Sequence, residues 1–124
     1  MTSYKEQLNK ITTFIFDVDG VLTNGNVILF NNEMLRTFNS RDAYAIQYAS
    51  KMGYEIFIIT GGNSTQVKER LTELGCREVV LSSSTKLDSY TRLKSMYEFS
   101  DEEVLYMGDD IPDFEVMSQV GLAS

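Results

Sequence analysis

TFIFDVDGVLT, residues 13–23, is the stretch that decides the fold: a short apolar run, Thr13 to Phe16, that ends abruptly in Asp17-Val18-Asp19-Gly20. Three more runs of this kind follow, Glu55-Ile59, Val79-Leu81 and Val104-Met107. Each is short and rich in β-branched or aromatic residues, as strands buried on both faces of a parallel sheet are. Between them, apolar residues recur at helical spacing. Ala45, Tyr48, Ala49 and Met52 mark the predicted inward face of a helix before the second strand, with Gly53 ending it. Val67, Leu71 and Leu74 mark a helix after it, capped by Asn63 or Ser64 and closed by Gly75. Leu87, Tyr90, Leu93 and Tyr97 define a third. A fourth starts at Pro112, buries Val116, Met117 and Val120, and stops at Gly121. Strands alternating with helices predict an α/β fold with a doubly wound, Rossmann-like, mostly parallel sheet. One segment breaks the alternation: Asn26-Phe30 and Met34-Asn39, parted by Asn31-Asn32-Glu33, read as a β-hairpin flap.

A chain of 124 residues can bury one core, so residues 1–124 are expected to form a single domain with no separate substrate-binding domain. The 43% apolar and 23% charged composition is that of a soluble globular protein, and no apolar run is long enough to span a bilayer. The polar opening MTSYKEQLNK is unlike a signal peptide, so a cytoplasmic location is expected. The net charge of −7 repels nucleic acid and anionic lipid, and an anionic substrate would need a locally positive pocket or a metal ion. The absence of histidine removes the commonest general base and zinc ligand. Acid-base work then falls to carboxylates, lysine or tyrosine. The lone Cys76, just after Leu74-Gly75, reads as a packing residue.

In an open α/β sheet, ligands bind outside the carboxyl ends of the strands, where helix N-termini present unpaired amides. Here the first strand ends in Asp17-Val18-Asp19-Gly20 and the second in Thr60-Gly61-Gly62-Asn63. The third leads through Ser82-Ser83-Ser84-Thr85 to Lys86, and the fourth ends in Gly108-Asp109-Asp110. Two aspartates at i and i+2 repel unless a cation neutralises them, and a divalent ion is the natural remedy. Asp109 adds a third hard oxygen from a neighbouring strand end, a donor set that suits Mg²⁺ better than zinc. Asp101-Glu102-Glu103, after Ser100, reads instead as a solvated helix N-terminus.

DVDGVLT at 17–23, IITGG at 58–62, Lys86, and GDDIPD at 108–113 resemble, in order and spacing, the four motifs of the haloacid dehalogenase superfamily. The resemblance spans nearly the whole chain. It implies a Mg²⁺-dependent phosphatase in which Asp17 attacks phosphorus to form an aspartyl-phosphate, while Asp19 protonates the leaving alcohol and later activates water. Thr60, with Gly61, would hold a phosphoryl oxygen, and Lys86 would pair with the phosphate and with Asp17. The resemblance gives the metal to Asp17, the backbone carbonyl of Asp19, and Asp109, with Asp110 or Asp113 supporting. A phospho-receiver switch shares a strand-end Asp, a Thr and a Lys, but has no use for an acid-base group at Asp19.

No cap domain separates the first two motifs. DVDGVLT, the hairpin, Phe38-Asn39-Ser40-Arg41-Asp42 and GDDIPD together look like the 3-deoxy-D-manno-octulosonate (KDO) 8-phosphate phosphatases of lipopolysaccharide sugar synthesis. That resemblance implies a homotetramer acting on a phosphorylated sugar acid, with hairpins packed around the fourfold centre and Arg41 near the substrate. Phosphatases of nine-carbon keto sugar acids, and a noncatalytic tetramerisation module related to sialic acid activating enzymes, share the motifs and stand as alternatives. The chain departs from the pattern twice. Gly62 stands where many members carry an arginine, and past Gly121-Leu122-Ala123-Ser124 the family continues with a strand, a helix and a glycine-rich tail, expected to be lacking here.

Overall fold

The computed structural model describes residues 4–17, 40–108 and 111–124. The hairpin expected over 26–39 lies outside the described residues, as do Asp19, Asp109 and Asp110. In chain order the elements are α1 (Tyr4–Lys10), β1 (Thr13–Phe16), α2 (Ser40–Lys51), β2 (Glu55–Ile59), α3 (Thr65–Leu74), β3 (Glu78–Val80) and α4 (Lys86–Tyr97). A 3₁₀ turn over Asp101–Glu103 then leads into β4 (Val104–Met107), and a second over Ile111–Asp113 precedes α5 (Phe114–Met117) and β5 (Leu122–Ala123).

The described strands form one parallel sheet in the order β3-β2-β1-β4-β5. The chain winds outward from β1 through β2 to β3, then crosses back to β4 on the other side of β1. That reversal puts the topological switch point between β1 and β4, the place at the carboxyl ends where open α/β sheets generally bind their ligands. In register, Phe16 pairs with Ile58 on one side and Met107 on the other. Asp17 is the first residue past the paired strand, and its amide still donates to Met107 O at 3.0 Å.

Both faces of the sheet are covered. Ile56 and Ile58 join Ile46, Val67, Leu71, Leu74, Cys76 and Val79 under α2 and α3. On the other face, Phe57 and Ile59 join Ile15, Tyr90, Leu93, Val104, Tyr106 and Val116 under α4 and α5. Alternation along β2 therefore sends buried side chains to two cores, which is why its sequence reads as a continuous apolar run. The helix α3 follows its predicted caps. Ser64 Oγ accepts the Val67 amide at 3.3 Å, and Gly75, at φ +113°, ends α3 in the left-handed conformation that only glycine adopts without cost.

Two expectations change. The face of α2 that packs inward carries Ile46 (4% exposed) with Ala43 and Ala49, whereas Ala45 is exposed, Tyr48 is 56% exposed and Met52 61%. The helix carries two apolar stripes, and a periodic pattern fixes spacing without saying which stripe faces the sheet. The apolar runs also predict four strands for the parallel sheet. Leu122 and Ala123 add a fifth, pairing with Leu105 and Tyr106, and two residues are too few to give a strand signal of their own.

Candidate active site

Three charged side chains meet at the switch point, all withdrawn from solvent: Asp17 (2% exposed), Lys86 (5%) and Asp113 (0%). Asp17 is placed there by the end of β1, Lys86 by the first turn of α4, and Asp113 by the turn that follows β4. Lys86 Nζ lies 3.1 Å from Asp17 Oδ2 and donates to Asp113 Oδ1 at 2.9 Å. Burial alone would lower the lysine's pKa, but the hydrogen bond to Asp113 and the charge of Asp17 outweigh it and hold the group above its ordinary value. The ammonium is therefore charged at neutral pH. Tyr106, on β4 and wholly buried, donates its hydroxyl to the same Asp113 Oδ1. Burial, and then the Asp113 carboxylate, push the phenol far above its usual range, so it stays a proton donor.

Gly108 makes room for this arrangement. A Cβ at that position would lie 2.5 Å from Asp113 Cγ, so no side chain fits between the end of β4 and the carboxylate. On the other side of β1, Thr60 closes β2 and is 3% exposed. Its Oγ1 accepts the Gly62 amide at 3.1 Å, which leaves the hydroxyl proton available to another acceptor. Ser83 N donates to Thr60 O at 2.9 Å and Ser82 N to Gly62 O at 2.8 Å. These bonds stitch the β2 and β3 strand-end loops into one floor, with Gly61 exposed above it.

The structure thus brings Asp17, Lys86 and Asp113 together and sets Thr60 and Gly61 at the adjacent strand end. Arg41 belongs to the first turn of α2, but its side chain lies outside the described residues, as do Asp19, Asp109 and Asp110. Among the described residues, no group of three carboxylates or thiols could by itself hold a metal ion. The donor chemistry nevertheless fits Mg²⁺: two buried carboxylates face one ammonium, so negative charge is in excess, and every candidate donor is a hard oxygen.

Sequence reasoning assigned Asp113 a supporting role toward a metal; its described partners include Lys86 and Tyr106. It missed Tyr106 altogether, since a tyrosine in a buried strand reads as core. The only available signal was a hydroxyl two residues before Gly108. Elsewhere, Cys76 is buried, and burial pushes its thiol up to about 12, so packing is its role. Ser100 and Glu103 form the capping box expected of a helix start, while Asp101 additionally accepts from Tyr90 and Lys94.

No protein-family model matches the chain. The chain is similar to 3-deoxy-D-manno-octulosonate 8-phosphate phosphatase KdsC of Escherichia coli (strain K12), at 40% identity over 114 residues, which are 91% of this chain and 61% of that protein. The crystal structure of 3-deoxy-D-manno-octulosonate 8-phosphate phosphatase from Yersinia pestis superposes with a TM-score of 0.85 at 32% identity, covering 95% of this chain and 64% of that one. The structure of the enzyme of that name from Moraxella catarrhalis, in complex with a magnesium ion, a phosphate ion and a KDO molecule, gives 0.82 at 27% identity, covering 96% and 71%. The chain therefore spans 61% of the length of the E. coli relative.

Strand order, the switch-point site and these likenesses define the class, an α/β domain of the haloacid dehalogenase superfamily with no separate cap domain among the described residues. Within that class, the chain belongs to the 3-deoxy-D-manno-octulosonate 8-phosphate phosphatase family.

Proposed function

We propose that residues 1–124 act as one phosphatase domain, Mg²⁺-dependent, that hydrolyses 3-deoxy-D-manno-octulosonate 8-phosphate to KDO and phosphate through an aspartyl-phosphate on Asp17. The observation that carries this reading is the buried set of Asp17, Lys86 and Asp113 at the switch point. Asp17, shielded from water, attacks phosphorus; a bond forms from its carboxylate oxygen as the bond to the sugar oxygen breaks. Asp19, by its place in the motif, gives its proton to the departing alkoxide. In the second half, Asp19 takes a proton from water, which attacks phosphorus and releases phosphate from Asp17. The Lys86 ammonium offsets the charge that spreads over the equatorial oxygens, and Thr60, with Gly61, receives one of them. Asp17, the Asp19 carbonyl and Asp109 would hold Mg²⁺, with Asp110 in support; the ion supplies positive charge against the phosphoryl oxygens.

The substrate class comes from the family relatives and from the KDO bound in the Moraxella enzyme. Arg41, the second residue of α2, is the cation this reading gives to the sugar acid. Gly62 offers no side chain there, so a nine-carbon keto sugar acid phosphate is the second substrate to assay. The homotetramer and the cytoplasmic setting belong to the same proposal.

The test is phosphate release from 3-deoxy-D-manno-octulosonate 8-phosphate with Mg²⁺ present, for the parent chain and Asp17→Asn. Release is expected to fall by ~10³-fold or more in the variant. Undiminished release would remove Asp17 from the mechanism.

A further inference from the structure

We infer that Tyr106 is a positioning residue for this reaction: its hydroxyl holds the Asp113 carboxylate in the orientation that keeps Lys86 against the phosphoryl site. The inference rests on the phosphatase reading and deepens it. The ring of Tyr106 is wholly buried in the core cluster that includes Ile15, Phe57, Leu93 and Val116, so close packing delivers the hydroxyl to one fixed point. An ionised carboxylate has no proton to give; Tyr106 therefore donates and Asp113 Oδ1 accepts. The same oxygen accepts from Lys86 Nζ at 2.9 Å, while Gly108 closes against the carboxylate from the strand side. Lys86 then reaches Asp17 Oδ2 at 3.1 Å. A connected series runs from β4 through Tyr106, Asp113 and Lys86 to Asp17.

The reaction itself explains why such a series is needed. Lysine carries its charge on a flexible four-carbon stem. In the resting site, Asp17 and Asp113 both attract it. Once Asp17 forms its bond to phosphorus, its carboxylate charge is gone, and its hold on Lys86 weakens at the moment the ammonium must face the phosphoryl oxygens. Asp113 forms no bond to phosphorus, so its contact with Lys86 does not change with the chemistry, and Tyr106 keeps Asp113 aimed. Neither touches the reacting atoms, so their contribution is orientation.

The molecule supplies a matched control. Tyr90 is equally buried and donates to Asp101 Oδ1, which also accepts from Lys94, but this set precedes β4 and lies away from the site. Tyr106→Phe and Tyr90→Phe each remove from a buried tyrosine the one hydroxyl that it donates to a carboxylate, without changing the ring. On the full chain with Mg²⁺ and 3-deoxy-D-manno-octulosonate 8-phosphate, Tyr106→Phe is expected to lower kcat about tenfold, with KM changed less than about twofold. Tyr90→Phe should lower the thermal midpoint about as much as Tyr106→Phe does and leave kcat as it was. A crystal structure of Tyr106→Phe should show the Asp113 carboxylate turned and Lys86 Nζ displaced. Three results overturn the inference: a kcat within about twofold of the parent, an equal loss in Tyr90→Phe, or Asp113 and Lys86 unmoved in the variant structure. Absence of Asp17-dependent release in the parent would overturn the phosphatase reading instead, and the variant structure would still decide whether Tyr106 places Lys86.

Discussion

The two ends of β4 carry the same three residue types in the same bonding pattern, yet only one end is a candidate site. Before the strand, Asp101 accepts from the Tyr90 hydroxyl and from Lys94 at 3.3 Å; after it, Asp113 accepts from the Tyr106 hydroxyl and from Lys86 at 2.9 Å. Both lysines lie on α4, two turns apart. Burial and company separate the pairs. Lys94 and Asp101 are 36% and 35% exposed at their side chains, whereas Lys86 and Asp113 are 5% and 0% exposed and face a second carboxylate, Asp17. At the half-exposed end, water screens the pair and the bonds fasten a turn to a helix. At the buried end, the charges are weakly screened, and two carboxylates face one ammonium, so negative charge is in excess. Topology decides which end is which, because loops diverge only at the carboxyl ends of the strands.

Replacing the two lysines in turn should break this symmetry most clearly. Lys86→Met is expected to cut Mg²⁺-dependent phosphate release by ~10³-fold, since it removes the charge that offsets the transferring group. It should also destabilise the fold by about 3–5 kcal/mol, because two buried carboxylates lose their common cation. Lys94→Met should leave release unchanged and cost about 1 kcal/mol or less. Steady-state assays, run below the melting transition of each variant, together with denaturant titrations, check both. Equal effects at the two positions would mean that burial does not distinguish the ends.

A third set extends the comparison toward the surface and carries the smallest effect. Glu78 accepts from Tyr97 at 2.9 Å and pairs with Arg92, whose side chain is 49% exposed. Partial burial would raise the Glu78 pKa, but the bonds from Arg92 and Tyr97 outweigh it and hold the carboxyl below its usual 4.5. A depressed folded-state value means that the unfolded chain binds the proton first. The stabilisation is therefore present above pH 4.5 and is lost as pH falls through the lowered value. Glu78→Gln should flatten that acid limb of stability measured by chemical denaturation between neutral and acid pH, and leave neutral-pH phosphate release untouched. An unchanged acid limb would show that the pair does not couple to folding.

Much of this was legible in the residues, for reasons that also mark where legibility ends. Thr13-Phe16, Glu55-Ile59 and Val104-Met107 are strands with the expected bounds, because a strand buried on both faces reads as an apolar run with polar residues at its limits. Asp17 and Thr60 fall at strand ends for the same reason, since polarity resumes where the sheet stops, and Lys86 opens the helix that follows β3. What sequence could not supply is phase and partnership. The inward stripe of α2 is set by contact with β2 and α3, which local periodicity does not encode, so Ile46 rather than Tyr48 and Met52 proves to be buried. Asp113 meets Lys86 across 27 residues, a pairing made by the crossover of the chain. Tyr106 looked like any core aromatic until its hydroxyl had an address. Asp19, Asp109 and Asp110 remain assignments by motif.

The central claim is that Asp17 carries the phosphoryl group. Mixing the chain with Mg²⁺ and 3-deoxy-D-manno-octulosonate 8-phosphate, quenching in acid within the first turnover and mapping the digest by mass spectrometry tests it directly. A transient phosphoryl adduct is expected on the peptide containing Asp17, absent from Asp17→Asn. Phosphate released at the full rate with no adduct at Asp17, or with the adduct on another residue, would contradict it.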